Sequence, residues 1–289
     1  MKLILSRKGF DSAAGGCASP ITANNELISL PIPERQPGHL TTYDQISSSV
    51  GNLGPLVSKL TATLKPPLNG GHEAHLDPDL NECSISREPG SWTPALGYRG
   101  GAGTHLDKNN VGVGDLFLFF GWFCRYDLNS GKPIKHARDL HVIFGWLQVG
   151  SGFRNNDIPT MLGRYPGLAK HPHVHPPRNS DANNRIYVAS PCLTLPTLNR
   201  YVPGGGVFPF RFSNVLTQPD TTRREWLLEG WATSSTAIPP LGYHDVATRW
   251  NRVGFDWQVK SADRGQEFVI DTDLHPDALA WAVDLFADR

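Results

Sequence analysis

Gly114-Asp-Leu-Phe-Leu-Phe-Phe-Gly-Trp-Phe123 and Leu140-His-Val-Ile-Phe-Gly-Trp-Leu-Gln-Val149 carry the strongest local signal in the chain. Neither alternates apolar with polar residues, as a half-exposed strand would. They read instead as strands buried on both faces, separated by a turn at Asn129-Ser-Gly-Lys132. Phe-Gly-Trp occurs in both, at 120–122 and 144–146. A glycine at matched places in neighbouring strands suggests a bulge or a close backbone approach, as at the mouth of a barrel. Trp122 and Trp146 then either pack at a barrel corner or form an aromatic wall facing a ligand.

Working outward, Lys2–Ser6 reads as a first strand and Leu27–Pro33 as a proline-bounded edge strand. Arg185–Ala189, Val207–Arg211 and Glu225–Leu228 add shorter strands. Residues 42–64 carry helical spacing broken by Gly51, Gly54 and Pro55. A C-terminal helix begins with Pro276 in its first turn and shows an apolar stripe of Leu279, Ala282, Val283 and Phe286. Residues 66–104 are rich in Gly, Pro and Asp and read as one long structured loop, the kind that carries function. The expected fold is β-rich α+β. It is a mixed sheet or partly open barrel with peripheral helices and long functional loops, in one domain spanning 1–289. The 29 glycines and 24 prolines fit many turns.

Twenty-seven basic and 27 acidic residues leave no net charge. A protein that tracks a long nucleic acid usually needs a basic face, so the balance favours a small-molecule or nucleotide substrate over a polymer. Cys17, Cys83, Cys124 and Cys192 form no CxxC pair, which removes zinc-ribbon and thioredoxin-like readings. The apolar run in Met1-Lys-Leu-Ile-Leu-Ser6 is too short for a signal-peptide core, and no stretch approaches a membrane span. A cytoplasmic protein without a membrane partner is expected.

His72-Glu-Ala-His75-Leu-Asp77-Pro-Asp79 gathers imidazoles and carboxylates in that loop. His75 and Asp77, two apart in extended chain, point to the same side. His-x-Asp is the local half of the two-histidine, one-carboxylate set of non-haem iron enzymes. The competing reading is a solvated acidic turn shaped by Pro78. His105, flanked by Gly103 and Thr104, is the expected distant ligand, with Asp79 as an outer or additional one. His171-Pro-His173-Val-His175 is spaced like a metal clip, but its prolines and Arg178 suit an exposed loop. Arg7-Lys8-Gly9-Phe10-Asp11-Ser12 follows a strand and can form an anion nest. There Asp11 and Lys8 are candidate catalytic or orienting groups, and Arg7 and Ser12 candidate substrate contacts. Trp122, Trp146 and His244 complete the candidate substrate set, since flat bases stack on aromatic side chains. No Walker loop, GxSxG elbow, GxGxxG loop or HExxH helix occurs.

Ser6-Arg-Lys-Gly-Phe-Asp-Ser12, Ser19-Pro-Ile21, His75-Leu-Asp-Pro-Asp79, Thr104-His-Leu106, the two aromatic stretches and Asn184-Arg-Ile-Tyr-Val-Ala-Ser190 follow one another in a fixed order. In that order they resemble the third of the nucleotide modification associated domain families, over most of the chain. The resemblance implies a nucleotide context and no particular reaction. Joined to the His/Asp loop, it leads to the expectation of a metal-dependent oxidoreductase, with non-haem iron or another divalent metal, acting on a nucleobase-like or other small polar substrate. The alternatives are a module that recognises a modified base without chemistry, and a scaffold using the Pro-rich loop 166–180.

Overall fold

The two aromatic stretches become long antiparallel partners, β8 (Leu116–Asp127) and β10 (Leu140–Arg154), in a computed structural model that describes residues 1–35, 41–262 and 267–287. Among those residues nine strands form one sheet. Its main path runs β16 (Glu267–Asp271), β1 (Lys2–Arg7), β8, β10, β11 (Arg185–Ala189), β7 (Ala95–Tyr98). β1 is parallel to β8 and antiparallel to β16. The short strands β2 (Ser19–Ile21) and β9 (Lys132–Pro133) join β8, and β12 (Gly205–Val207) joins β10. The path does not close on itself, so of the two expected forms the mixed sheet is the one present.

Smaller units flank it. β13 (Glu225–Leu228), β15 (Asp256–Lys260) and β14 (Trp250–Val253) form a three-stranded sheet. β3 (Ile32–Pro33) pairs with β6 (Ala74–His75), and β4 (Ser47–Ser48) with β5 (Gly51–Asn52). Four α-helices are described: α1 (Leu53–Leu60), α2 (Gly100–Lys108), α3 (Ile158–Arg164) and α4 (Pro276–Asp284). None is long and apolar enough to cross a membrane.

The absence of polar alternation in β8 follows from burial on both sides. Leu116, Leu118 and Phe120 pack with Leu3, Leu5, Phe268 and Ala278 and Ala282 of α4. Phe117, Phe119 and Phe123 pack on the other face with Ile4, Phe144, Leu147 and Val269. The register of β10 against β8 shifts between Ile143 and Gly145, a bulge. Both Phe-Gly-Trp glycines mark close backbone approaches. A Cβ on Gly121 would lie 2.8 Å from the Lys8 carbonyl oxygen, and one on Gly145 2.9 Å from that of Gly206. Gly121 thus lets the chain leaving β1 run close along β8, where the Lys8 amide bonds the Phe120 carbonyl at 2.9 Å, and this places Lys8 at the site below.

Several expected elements change. Residues 66–104 are not one loop: they hold β6, the sheet-edge strand β7 and the start of α2. The first turns of α2 contain Gly100, Gly101 and Gly103, poor helix formers. Tertiary packing overrides them. Leu106 is fully buried, and a Cβ on Gly103 would lie 2.5 Å from the Asn183 carbonyl oxygen. The 42–64 stretch is helical as α1 and as one turn of 3-10 helix at Tyr43–Gln45. The expected strands 27–33 and 207–211 shrink to β3 and to β12, which begins at Gly205. In α4 the stripe is rotated: Ala278, Ala282, Leu285 and Phe286 are buried, while Leu279 and Val283 are partly covered.

His141, in the core beside β13, makes stability depend on pH. Trp226 Nε1 donates to its Nδ1 at 3.0 Å. Burial, with Arg223, Arg7 and Arg224 adding repulsion, pushes its pKa down to about 3. The unfolded chain binds this proton below about pH 6.5, whereas the folded chain resists it. The stabilisation is therefore complete above pH 6.5 and is lost as pH falls towards 3, at up to about 1.4 kcal/mol per pH unit. Urea midpoints at pH 7, 6 and 5 should fall for the wild type and fall less steeply for His141→Gln. Equal slopes would refute the assignment.

Candidate functional site

The site forms along the free side of β7. Asp79 and Ala95 exchange backbone hydrogen bonds of 2.9 and 3.0 Å, laying the segment after β6 against the sheet edge. The Gly97 amide then donates to Asp77 Oδ1 at 2.6 Å. Upstream, Ile32 of β3 pairs with His75 of β6, which fixes that residue's direction. His75 Nε2 and Asp77 Oδ2 consequently lie on the same side, 3.9 Å apart.

A turn of 3-10 helix at Pro172–Val174 brings in His173. Its ring packs so closely on β7 that a Cβ on Gly97 would lie 2.2 Å from it. The His75 and His173 ring centroids are 5.4 Å apart. One ligating atom from each of His75, Asp77 and His173 lies within 4.8 Å of the other two, the one such group of three among the described residues.

Outer partners orient these side chains. His173 Nδ1 is 2.6 Å from Asn184 Oδ1. The Asn184 amide nitrogen donates to Asn155 Oδ1 at 2.8 Å and to the His173 carbonyl at 3.0 Å, both acceptors. The amide oxygen must therefore face the ring, so His173 Nδ1 donates and Nε2 keeps its lone pair. His75 Nδ1 lies 3.3 Å from Glu34 Oε2, and Glu34 in turn pairs with Arg178. An imidazole backed by an amide or a carboxylate, as His173 is, is the usual form of a metal-binding histidine, whereas His75 Nδ1 stands beside Glu34 without forming a hydrogen bond. His171 Nε2, buried and without a hydrogen bond, lies 3.4 Å from Asp77 Oδ1. Lys8 Nζ lies 3.2 Å from Asp77 Oδ2 and 4.2 Å from the Tyr98 ring centroid, and the Tyr98 hydroxyl bonds Ser6 Oγ at 2.7 Å.

Protonation states follow from this setting. Burial pushes the Asp77 carboxyl up, but its neighbours, the Lys8 ammonium foremost, outweigh that and hold the group well below the usual range. Burial lowers His75 despite the Glu34 carboxylate, and drives His173 well below its ordinary value. Near neutral pH the site thus presents one carboxylate and two neutral imidazoles, the protonation states a divalent metal requires.

The remaining candidates are placed as follows. Lys8 reaches the cluster. Asp11 lines the adjoining cavity, but its Oδ1 is taken by the amides of Ala13 and Ala14 at 2.7 Å each. Arg7 also lines that cavity, whereas Ser12 is exposed and does not. Asp79 is turned away, bonded to Arg87, Trp92 Nε1 (3.1 Å) and Ser84 Oγ (3.3 Å). His105, on α2, stacks on Tyr243 at 4.7 Å and is not in the cluster. Trp146 lies in the core between Phe208 and Phe286. Trp122 sits beneath Arg223, whose guanidinium is 4.0 Å from its ring centroid, and donates to Asp139. His244 is fully buried, with both ring nitrogens bonded to the backbone of Gly242 and Ala262. The loop 171–178 expected to be exposed is so only at Pro176 and Pro177: His171, His173 and Arg178 are at most 5% exposed. Three histidines in alternate positions were the available signal for it. Nothing in the local sequence marks Glu34 or Asn184.

A cavity of about 410 Å³ opens over the cluster, bordered by Lys8, Glu34, Arg35, Tyr98, Arg99 and Arg178. A second, of about 400 Å³, shares Gly9 and Asp77 with it and is walled by apolar groups including Leu76, Leu80, Phe144 and Phe208.

Comparisons with curated proteins and with solved structures return no match. The model of one family, nucleotide modification associated domain 3, matches residues 2–271, a span holding every residue of the cluster and its outer partners. The chain belongs to the nucleotide modification associated domain 3 family.

Proposed function

We propose that this protein is a metal-dependent enzyme that modifies, by oxidation, a nucleobase-like or other small polar substrate. The observation that carries the reading is the convergence of His75 and Asp77 with the distant His173 within 4.8 Å. Two neutral imidazoles and a carboxylate suit iron(II), and manganese and zinc accept the same donors. A bound iron would supply redox chemistry with dioxygen. Around it, Asn184 keeps the His173 ring oriented, and Glu34 stands beside that of His75. Lys8 holds a proton beside Asp77 and can present it to a polar atom of the substrate. Tyr98 anchors Lys8 from below.

One observation favours a second reading, a module that recognises a modified base without chemistry. The Lys8 ammonium already satisfies Asp77 without any metal. Metal analysis by mass spectrometry, on protein purified without chelators or metal-carrying tags, separates the two. The enzyme reading expects about one equivalent of iron or another divalent metal, lost in His75→Ala and in His173→Ala while circular dichroism is unchanged. Protein that carries no metal, and takes none up from ferrous iron under anaerobic conditions, would leave the binding module.

A further inference from the structure

We propose that the cavity over the cluster takes a nucleotide rather than a free base or nucleoside, with Arg35 and Arg99 holding its phosphate. The proposal deepens the reading above and rests on it only for which group faces His75, Asp77 and His173.

Charge within the cavity is uneven although the chain as a whole is neutral. Deep in the wall, Lys8 pairs with Asp77 and Arg178 with Glu34, so those cations are matched by carboxylates. Arg35 and Arg99 also border the cavity, both exposed, and neither meets a carboxylate among the described residues. Arg35 gives one bond, to the Ala13 carbonyl at 3.2 Å, and keeps its other donors. Arg99 stands at the start of α2, and Ala102 of the first turn lines the same cavity, so the helix dipole adds to the positive potential.

Guanidinium forks fit phosphate oxygens bidentately and match their charge, whereas among neutral bases only guanine, through O6 and N7, offers a comparable pair of acceptors. The cavity volume of about 410 Å³ lies in the range of small-ligand sites. Arg7, half-buried in the lining, also meets no carboxylate among the described residues, and three such arginines are too few to track a duplex, for which affinity comes from many phosphates. The arrangement therefore suits one nucleotide, with the phosphate at the rim and the rest of the molecule directed at the cluster.

Isothermal titration of the full chain with each common nucleoside, its 5′-monophosphate and a small dicarboxylate tests this, with metal content measured on the same samples. The monophosphate of at least one base should bind tenfold or more tightly than its nucleoside. Arg35→Gln and Arg99→Gln should each weaken the monophosphate about tenfold and leave the nucleoside unchanged. Equal affinity for nucleotide and nucleoside, or binding of neither, would overturn the proposal. So would arginine-dependent binding of the dicarboxylate alone, which would assign the rim to a carboxylate co-substrate. Metal retained without a nucleotide preference defeats this proposal only; nucleotide preference without metal defeats the enzyme reading only.

Discussion

Asp77→Asn is expected to abolish metal retention and to lower folding stability by about 3 kcal/mol, the low end of the cost of breaking a buried ion pair. The Asp77 side chain is 2% exposed and that of Lys8 11%. With the carboxylate gone, the ammonium would be left in a pocket whose other near neighbours are imidazoles and the Tyr98 face. Its slight exposure lets the chain relax towards water, hence the low end of the range. Lys8→Met has the opposite consequence for metal, because it removes a cation that competes for Asp77 Oδ2. Its affinity for manganese should rise or hold. Lys8→Met/Asp77→Asn should be more stable than the sum of the single effects by about 1–3 kcal/mol, as expected for residues in contact. Urea unfolding and metal analysis read all three variants. Retention of a full equivalent of metal by Asp77→Asn, or its loss in Lys8→Met, would remove Asp77 from the centre.

The parts of this design legible in the sequence are those whose signal is local. β1, β8, β10 and α4 each bury a continuous stretch or stripe, and hydrophobic burial shows directly in residue order. His75 and Asp77 stand two apart, which in extended chain predicts a common direction. They do converge, although β6 ends at His75 and the Asp77 amide turns back to bond the His75 carbonyl at 2.8 Å. His173 joins them through a contact between the 171–174 turn and the edge strand β7, and that contact depends on Gly97 having no side chain. No periodicity encodes such a meeting. His105 is the natural distant choice because glycines precede it, yet one of them, Gly103, serves the packing of α2 on the chain at Asn183. The tryptophans mislead for a similar reason. In a strand buried on both faces, an aromatic residue is as apt to fill the core as to line a pocket, and Trp146 fills it.

Gly97→Ala tests that packing contact directly. The added methyl would lie 2.2 Å from Cγ and Cδ2 of the His173 ring, well inside van der Waals contact. The ring has little room to yield, because it is 3% exposed, Asn184 holds Nδ1, and the His173 amide donates to His171 Nδ1 at 3.2 Å. Either β7 or the 171–174 turn must move, and overpacking of this kind costs about 1–3 kcal/mol. Displacement of His173 should also release the metal, although no ligand has been altered. Two further variants isolate the cause. His173→Ala/Gly97→Ala should be more stable than Gly97→Ala alone, since removing the ring leaves space for the methyl, while both remain metal-free. Gly101→Ala, in the same glycine-rich region but with nothing within 4 Å of its Cβ, should be neutral or stabilising, because alanine suits a helix better than glycine. If Gly97→Ala keeps wild-type stability and its metal, then the close approach of β7 to His173 does not hold the cluster together.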